Sequence, residues 1–266
     1  MPKTQLMGIL NATPDSFYDQ SRFFDLEAAI QRGVQISHEG ADLIDIGGES
    51  TRPGATPVSL EEELRRVIPL IKELKSRVHI PLSIDTLKPQ VALQALQAGA
   101  DWINDVSGFR DPMMREIAAS SGAKLCVMHM QGTPETMQLN PQYSTSIIDH
   151  IKTWFSNTLE KLIQAGVKEE KIVLDPGIGF GKTVAHNLEI IHNLPELKRL
   201  GFPILIGVSR KSFMSKILNK PANELLAATL AINSIAVLSQ VDFIRVHDIQ
   251  AHRDVIDIIE AYKKAS

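Results

Sequence analysis

Eight times along this chain a short apolar run ends in a polar or glycine-rich signature. The runs close at Asn11, Asp45-Ile46-Gly47-Gly48, Asp85, Asn104-Asp105, His129, Asp175-Pro176-Gly177, Gly207 through Arg210, and Arg245 through Asp248. A loop and a helix-like stretch follow each. Strand alternating with helix specifies a parallel sheet, and eight units are the number that closes a (β/α)8 (TIM) barrel. Strands are expected over 6–11, 43–47, 82–85, 102–105, 125–129, 172–175, 204–207 and 243–247. Most are near-continuous apolar runs, the pattern of strands covered on both faces. An open flavodoxin-like sheet is the alternative, but eight units fit closure better. In a closed barrel the active site gathers at the C-terminal strand ends, where the ionisable and amide side chains fall here.

The 266 residues match one complete α/β barrel domain over 1–266, and no composition shift or linker divides them. Between the strands, Leu64, Val67, Ile68 and Ile71 make one helix face, and Val255, Ile256, Ile258 and Ile259 form a broader stripe on the last helix. Four loops, 12–24, 49–60, 130–143 and 209–223, are long enough to be functional. A net charge of −3 gives no support to nucleic-acid or anionic-membrane binding. Cys126, the single cysteine, lies in an apolar run and reads as a small core hydrophobe. No signal peptide or membrane span is legible, so a cytoplasmic protein is expected.

Two phosphate motifs fail in the run 177–183, Gly-Ile-Gly-Phe-Gly-Lys-Thr. A P-loop needs glycine where Pro176 stands, and a dinucleotide fingerprint needs glycine where Lys182 stands. What survives is a glycine-rich turn after a strand, either purely structural or a place where backbone approaches a flat ligand. The histidines include no His-Glu-x-x-His pair, and one cysteine excludes a thiolate zinc site. Any metal would be a hard cation held by oxygen ligands and substrate phosphates, as magnesium is.

Alternation along a strand puts Phe243, Arg245 and His247 on one face. A guanidinium inside a buried strand meets an anion, stacks on a flat ring, or forms an internal ion pair with a barrel carboxylate. Asp85 shares a face with Ser83, and Asp175 with Val173. Two strand-end aspartates plus Asn104 suit the amino-pyrimidine edge of a flat heterocycle, since carboxylates accept from N–H groups and asparagine does both. Asp85 alone also reads as a cap for the next helix. Arg52, Arg210-Lys211 and Arg245 all fall at C-terminal strand ends, where they suit a diphosphate or carboxylate.

These residues, in this order, resemble the dihydropteroate synthase family of pterin-binding barrels. The matching motifs are Met7-Gly8-Ile9-Leu10-Asn11 with Thr13-Pro14-Asp15-Ser16-Phe17; Asp45-Ile46-Gly47-Gly48-Glu49-Ser50-Thr51-Arg52-Pro53-Gly54; Ser83-Ile84-Asp85-Thr86; Ile103-Asn104-Asp105-Val106; and Met128-His129-Met130-Gln131-Gly132. Asp175-Pro176-Gly177 running to Lys182, Ser209-Arg210-Lys211 and Arg245-Val246-His247-Asp248 complete them. The resemblance implies a transferase that joins 4-aminobenzoate to 6-hydroxymethyl-7,8-dihydropterin diphosphate in folate biosynthesis, releasing diphosphate. It implies that Asp85, Asn104, Asp175 and Lys211 form the pterin floor, with Met128 packing on the ring. It assigns Asn11 to magnesium on the diphosphate, and Thr51, Arg52, Arg245 and His247 to the anion. Phe17, Pro53, Phe180 and the pair Lys211-Ser212 would wall the aminobenzoate pocket. Asp85, Asp175, Lys211, Arg245 and His247 would carry the chemistry. A homodimer and sensitivity to sulfonamides, which mimic aminobenzoate, are also implied.

Two departures from the family pattern bear on this. Five residues precede the first expected strand where the family often has more, which leaves open how the barrel floor is closed. The first loop reads Tyr18-Asp19-Gln20-Ser21 where the family commonly has a glycine-rich turn. A pterin-binding methyltransferase domain and a catalytically silent pterin-binding barrel are the rival readings. Ser209-Arg210-Lys211 and Ser50-Thr51-Arg52-Pro53-Gly54 favour the synthase.

Overall fold

The computed structural model describes residues 3–13, 25–51 and 56–265. Eight parallel strands form one sheet in the order β6-β5-β4-β3-β2-β1-β8-β7. They are β1 (Gln5–Asn11), β2 (Leu43–Gly47), β3 (Leu82–Asp85), β4 (Trp102–Asp105), β5 (Lys124–Met128), β6 (Ile172–Asp175), β7 (Leu205–Ile206) and β8 (Phe243–Val246). The two ends of this order meet through a single parallel bridge, Leu174 to Ile204, backed by the Leu174 N–H donating to the Pro203 carbonyl at 2.9 Å. The expected barrel is therefore present, nearly closed.

The helices are α1 (Leu26–His38), α2 (Leu60–Arg77), α3 (Pro89–Ala98), α4 (Pro112–Ser121), α5 (Ile147–Gln164), α6 (Val184–His192), α7 (Leu194–Lys198), α8 (Ser212–Leu218), α9 (Leu226–Leu238) and α10 (Ile249–Lys264). Asp25, Ser59, Asp111, Ser146 and Thr183 each cap the helix they precede by accepting a first-turn backbone N–H. Asp85 caps nothing: Lys88 is the N-cap of α3 and Pro89 opens it.

Several expected bounds shift. β7 has two residues where four were expected: the Ile204 N–H goes to the Asp242 carboxylate at 2.7 Å, and Ile204 joins the sheet only as the bridge to Leu174. His129 and His247 fall one residue past their strands. The expected loop 209–223 contains α8. On α2 the buried face is rotated from the expected one, to Val67, Leu70, Ile71 and Leu74, with Leu64 and Ile68 half-buried. On α10, Ile256 and Ile259 are buried, but Ile258 is 71% exposed and faces outward.

Two apolar layers result. Residues such as Ile44, Ile46, Ile84, Ile103, Val127, Leu174, Ile244 and Val246 pack outward against the helices. Met7, Leu43, Trp102, Cys126, Val173, Leu205 and Phe243 form a separate cluster inside the barrel. Cys126 is thus a buried core residue, as expected. The same cluster closes the floor. Trp102 meets Phe243 edge-on, with centroids 5.3 Å apart, and the Lys124 ammonium lies 5.1 Å from the Trp102 ring.

Candidate active site

Side chains on a strand alternate faces, so residues two positions beyond the inner apolar cluster also face the barrel interior, one layer nearer its mouth. Leu43 is followed by Asp45, Ser83 by Asp85, Trp102 by Asn104, Cys126 by Met128, Val173 by Asp175, Leu205 by Gly207 and Phe243 by Arg245. Asp45, Asp85, Asn104, Met128 and Asp175 are all at most 7% exposed. A Cβ built on Gly47 or Gly207 would come no closer than 3.6 Å to Asp85 or 3.8 Å to Arg245. A side chain would fit at either glycine, so their lack of one leaves open space beside the polar layer.

Arg245 straddles two carboxylates. Its Nε donates to Asp45 Oδ2 at 2.6 Å and its Nη2 to Asp85 Oδ2 at 2.8 Å. The internal ion pair expected as one possibility for Arg245 therefore exists. One guanidinium cannot neutralise both acids, and Oδ1 of Asp45 and Oδ1 of Asp85 are buried without a partner among the described residues. Burial, outweighing Arg245, pushes the Asp85 carboxyl up to about 7, and Asp45, Glu63 and Asp105 add to the rise. The two acids hold Arg245 charged despite its own burial. Orphaned acceptors at the mouth of a barrel suit a ligand that presents several N–H donors to them.

Across the barrel, Met128 and Asp175 are partners in the β5–β6 register. Asp175 Oδ1 accepts the Gly177 N–H at 2.8 Å. Its carboxyl is pushed up to about 6 by burial, against the pull of Gly177, Lys211, Arg245 and Lys182. The Lys211 ammonium sits 4.0 Å from the centre of the Phe180 ring. Phe180 packs with Met128, Met130, Met137 and Val106 into an apolar wall. The turn between is pressed against β5: a Cβ on Gly177 (φ +70°) would lie 1.9 Å from the His129 carbonyl oxygen, so only glycine fits. Close packing explains that glycine without a ligand.

His247 sits at the third polar edge. Ser209 Oγ accepts the His247 backbone N–H at 3.3 Å and lies 2.9 Å from its Nδ1. A hydroxyl that donates to Nδ1 leaves the imidazole free to present an N–H at Nε2. Asn11 ends β1 opposite Gly47. Thr51 is half-buried on the loop after β2, and Ser212 opens α8 on the surface. Phe17, Arg52 and Pro53, assigned by resemblance, lie outside the described residues. The site thus unites Asp85, Asn104, Arg245, Met128, Asp175, Phe180, Lys211 and His247.

Four contributors were not singled out from sequence. Asp45 carries both Arg245 and Asn104, whose Nδ2 donates to Asp45 Oδ2 at 2.9 Å. Ser209 orients His247. Lys182, 3% exposed, lies 2.9 Å from both His129 Nδ1 and the Phe180 carbonyl, strutting the Phe180 loop against β5. Burial brings its ammonium down to about 7. Glu63 on α2 holds Thr86 Oγ1 at 2.6 Å and Lys88, which also meets Glu49, so the root of the loop carrying Thr51 is anchored. The available signal for Asp45 was parity: a carboxylate inside one buried strand needs a partner, and an arginine inside another supplies it.

The model of the pterin binding enzyme family matches residues 7–247. The dihydropteroate synthase of Synechocystis sp. is 46% identical over 261 residues, covering 97% of this chain and 90% of that protein. The structure of Yersinia pestis dihydropteroate synthase with a sulfonamide drug superposes with a TM-score of 0.94 at 42% identity, covering 98% of this chain and 95% of the other. That of Xanthomonas albilineans dihydropteroate synthase with 4-aminobenzoic acid gives 0.92 at 38% identity, covering 98% and 93%. Family, fold and polar mouth agree: this chain belongs to the pterin-binding enzymes and, among them, to the dihydropteroate synthases.

Proposed function

We propose that the barrel mouth binds 6-hydroxymethyl-7,8-dihydropterin diphosphate and 4-aminobenzoate and joins them into 7,8-dihydropteroate, releasing diphosphate in folate biosynthesis. The observation that carries this reading is the set of buried, incompletely partnered acceptors, Asp45 and Asp85, gathered with Asn104 around one guanidinium. Asp85, Asn104 and Asp175 accept from the pterin's N–H groups, and Met128 packs on the ring. Lys211, whose ammonium sits over the Phe180 ring, joins that floor to the wall of the aminobenzoate pocket on this reading.

In the reaction the C–O bond of the hydroxymethyl group breaks and its electron pair leaves with diphosphate. The electron-rich ring carries the resulting positive charge at the exocyclic methylene. Asp85 and Asp175, ionised in the complex, stabilise that charge. The amine nitrogen of aminobenzoate then supplies the pair for the new C–N bond and loses a proton. A weak nucleophile needs placement more than deprotonation, which is the task of Phe180, Lys211 and Ser212. Arg245, His247 through its Nε2–H, and Thr51 take up negative charge on the leaving diphosphate. This scheme needs no covalent enzyme intermediate.

Among the described residues no group of three acidic, histidine or cysteine side chains is placed to cage a metal. Asn11 fits magnesium differently, as one amide oxygen on an ion otherwise held by phosphate oxygens and water. Bound there, magnesium would neutralise charge on the diphosphate.

The chain acts as a homodimer on this reading, supported by apolar side chains left outward on α9 and α10: Ile235, Leu238, Ile258 and Tyr262 are 46%, 49%, 71% and 66% exposed. Among the described residues no helix is long and apolar enough to cross a membrane, in keeping with a cytoplasmic enzyme. Sulfonamides compete for the aminobenzoate pocket, which forms fully once pterin diphosphate is bound, so binding is ordered with aminobenzoate second. The test is diphosphate release by the purified chain. Release requiring both substrates and magnesium is expected; no release with both present would overturn the assignment.

A further inference from the structure

Asp45 was given no step of its own in the reaction just described, yet it is fully buried on the mouth-facing side of β2 and touches two groups that were. One oxygen, Oδ2, accepts from Arg245 Nε on β8 at 2.6 Å and from Asn104 Nδ2 on β4 at 2.9 Å. Its other oxygen, Oδ1, is buried without a partner among the described residues.

An ionised carboxylate only accepts hydrogen bonds. Asn104 must therefore turn its NH2 toward Asp45, which leaves its carbonyl oxygen as the atom uncommitted to that contact. An acceptor offered at this position selects a ring with an N–H donor there. Arg245, held through Nε, keeps its Nη1 and part of Nη2 for an anion. Both consequences pass through the same atom, so a change at one donor is felt at the other.

We propose that Asp45 is a positioning residue that couples the ring-recognising and anion-holding halves of the site, setting the amide orientation of Asn104 and the placement of the Arg245 guanidinium through one shared oxygen. This rests on the roles of Asn104 and Arg245 given above. Asparagine at position 45 would be isosteric but would bring its own NH2 among donors, and its oxygen would lack the charge.

The experiment is calorimetric binding of pterin diphosphate, and of the same pterin without phosphate, to wild type, Asp45→Asn, Asn104→Ala, Arg245→Lys and the double variants, each checked by thermal melting. Asp45→Asn is expected to weaken both ligands about tenfold or more. Its effect on the phosphate-free pterin should largely vanish in the Asn104→Ala background. Its additional effect on pterin diphosphate should largely vanish in the Arg245→Lys background. A merely structural role would give additive losses in every background, and additivity overturns the coupling. A second measurement leaves Asp45 in place and serves even if Asp45→Asn does not fold. Asn104→Ala should lower the contribution of the diphosphate group to binding, although Asn104 does not touch it; an unchanged contribution also overturns the proposal. If neither Asn104→Ala nor Arg245→Lys alters binding of either ligand, the roles assigned to those residues fail instead.

Discussion

The floor and the mouth of this barrel are built by the same strands two residues apart, and they are opposites. At the floor, Leu43, Trp102, Val173 and Phe243 pack into an apolar cluster. One pleat repeat higher, Asp45, Asn104 and Asp175 crowd charges and amides into a similarly buried layer, with Arg245 half-buried among them. The lower layer stabilises the chain by removing apolar surface from water. The upper one holds acceptors unpartnered among the described residues and carboxyls pushed up toward neutrality, which burial makes costly. The same position on the pleat is thus spent on stability at one end and on recognition at the other.

The largest effect that would break this comparison is at the floor. Trp102→Ala should destabilise the fold by about 3–5 kcal/mol, read as a lower melting temperature, with ligand affinity retained by the folded fraction. Lost affinity at unchanged stability would put Trp102 in the site instead. At the mouth, Arg245→Lys should cut affinity for pterin diphosphate by on the order of 2 kcal/mol, because a point ammonium cannot reproduce a planar fork. A pterin without phosphate should weaken much less, since it feels Arg245 only through Asp45 and Asp85; equal weakening of both in calorimetry would count against the anion role.

Smaller still is Ser209→Ala. Removing the hydroxyl that holds the His247 ring and backbone should lower kcat/KM by about 1 kcal/mol while leaving the melting temperature within a degree or two. An unchanged kcat/KM would show that His247 needs no such partner.

The last effect is one of pH, spread over several units. Without ligand, folded Asp85 keeps its proton up to about 7 and Asp175 up to about 6, whereas in the unfolded chain both lose it near the ordinary carboxylate value. The folded state therefore binds more protons between those limits, and its stability should fall as pH rises through that window. Asp85→Asn should flatten part of the fall, and bound pterin should flatten it further. Melting temperatures recorded across pH check this; a wild type and variant with parallel profiles would contradict it.

Much of this was legible in the residue order. Alternation alone put Asp85, Asp175 and Arg245 on inward faces, and the eight strand ends located the mouth. What escaped depended on distance between strands rather than along them. Asp45 was grouped with the polar, glycine-rich ending of the second expected strand, and only the barrel brings it to Arg245, 200 positions away. Lys182 was read as the tail of a failed phosphate motif; its burial against His129 comes from the fold of the turn, which no local pattern announces. The shortness of β7 has a similar cause, since the Ile204 N–H is taken by the Asp242 carboxylate, 38 positions away. The assignments of Phe17 and Pro53 rest on resemblance alone, that of Arg52 on resemblance and on its place at a strand end.

The claim that the mouth serves recognition rather than stability is tested most directly by Asp175→Asn, melted with and without pterin diphosphate. The amide removes a buried carboxylate while keeping its shape, so the unliganded variant should melt at or above the wild type. The ligand-induced rise in melting temperature should shrink, reflecting a binding loss on the order of 2 kcal/mol or more. A variant that melts lower without ligand yet keeps the full ligand-induced rise would contradict the account.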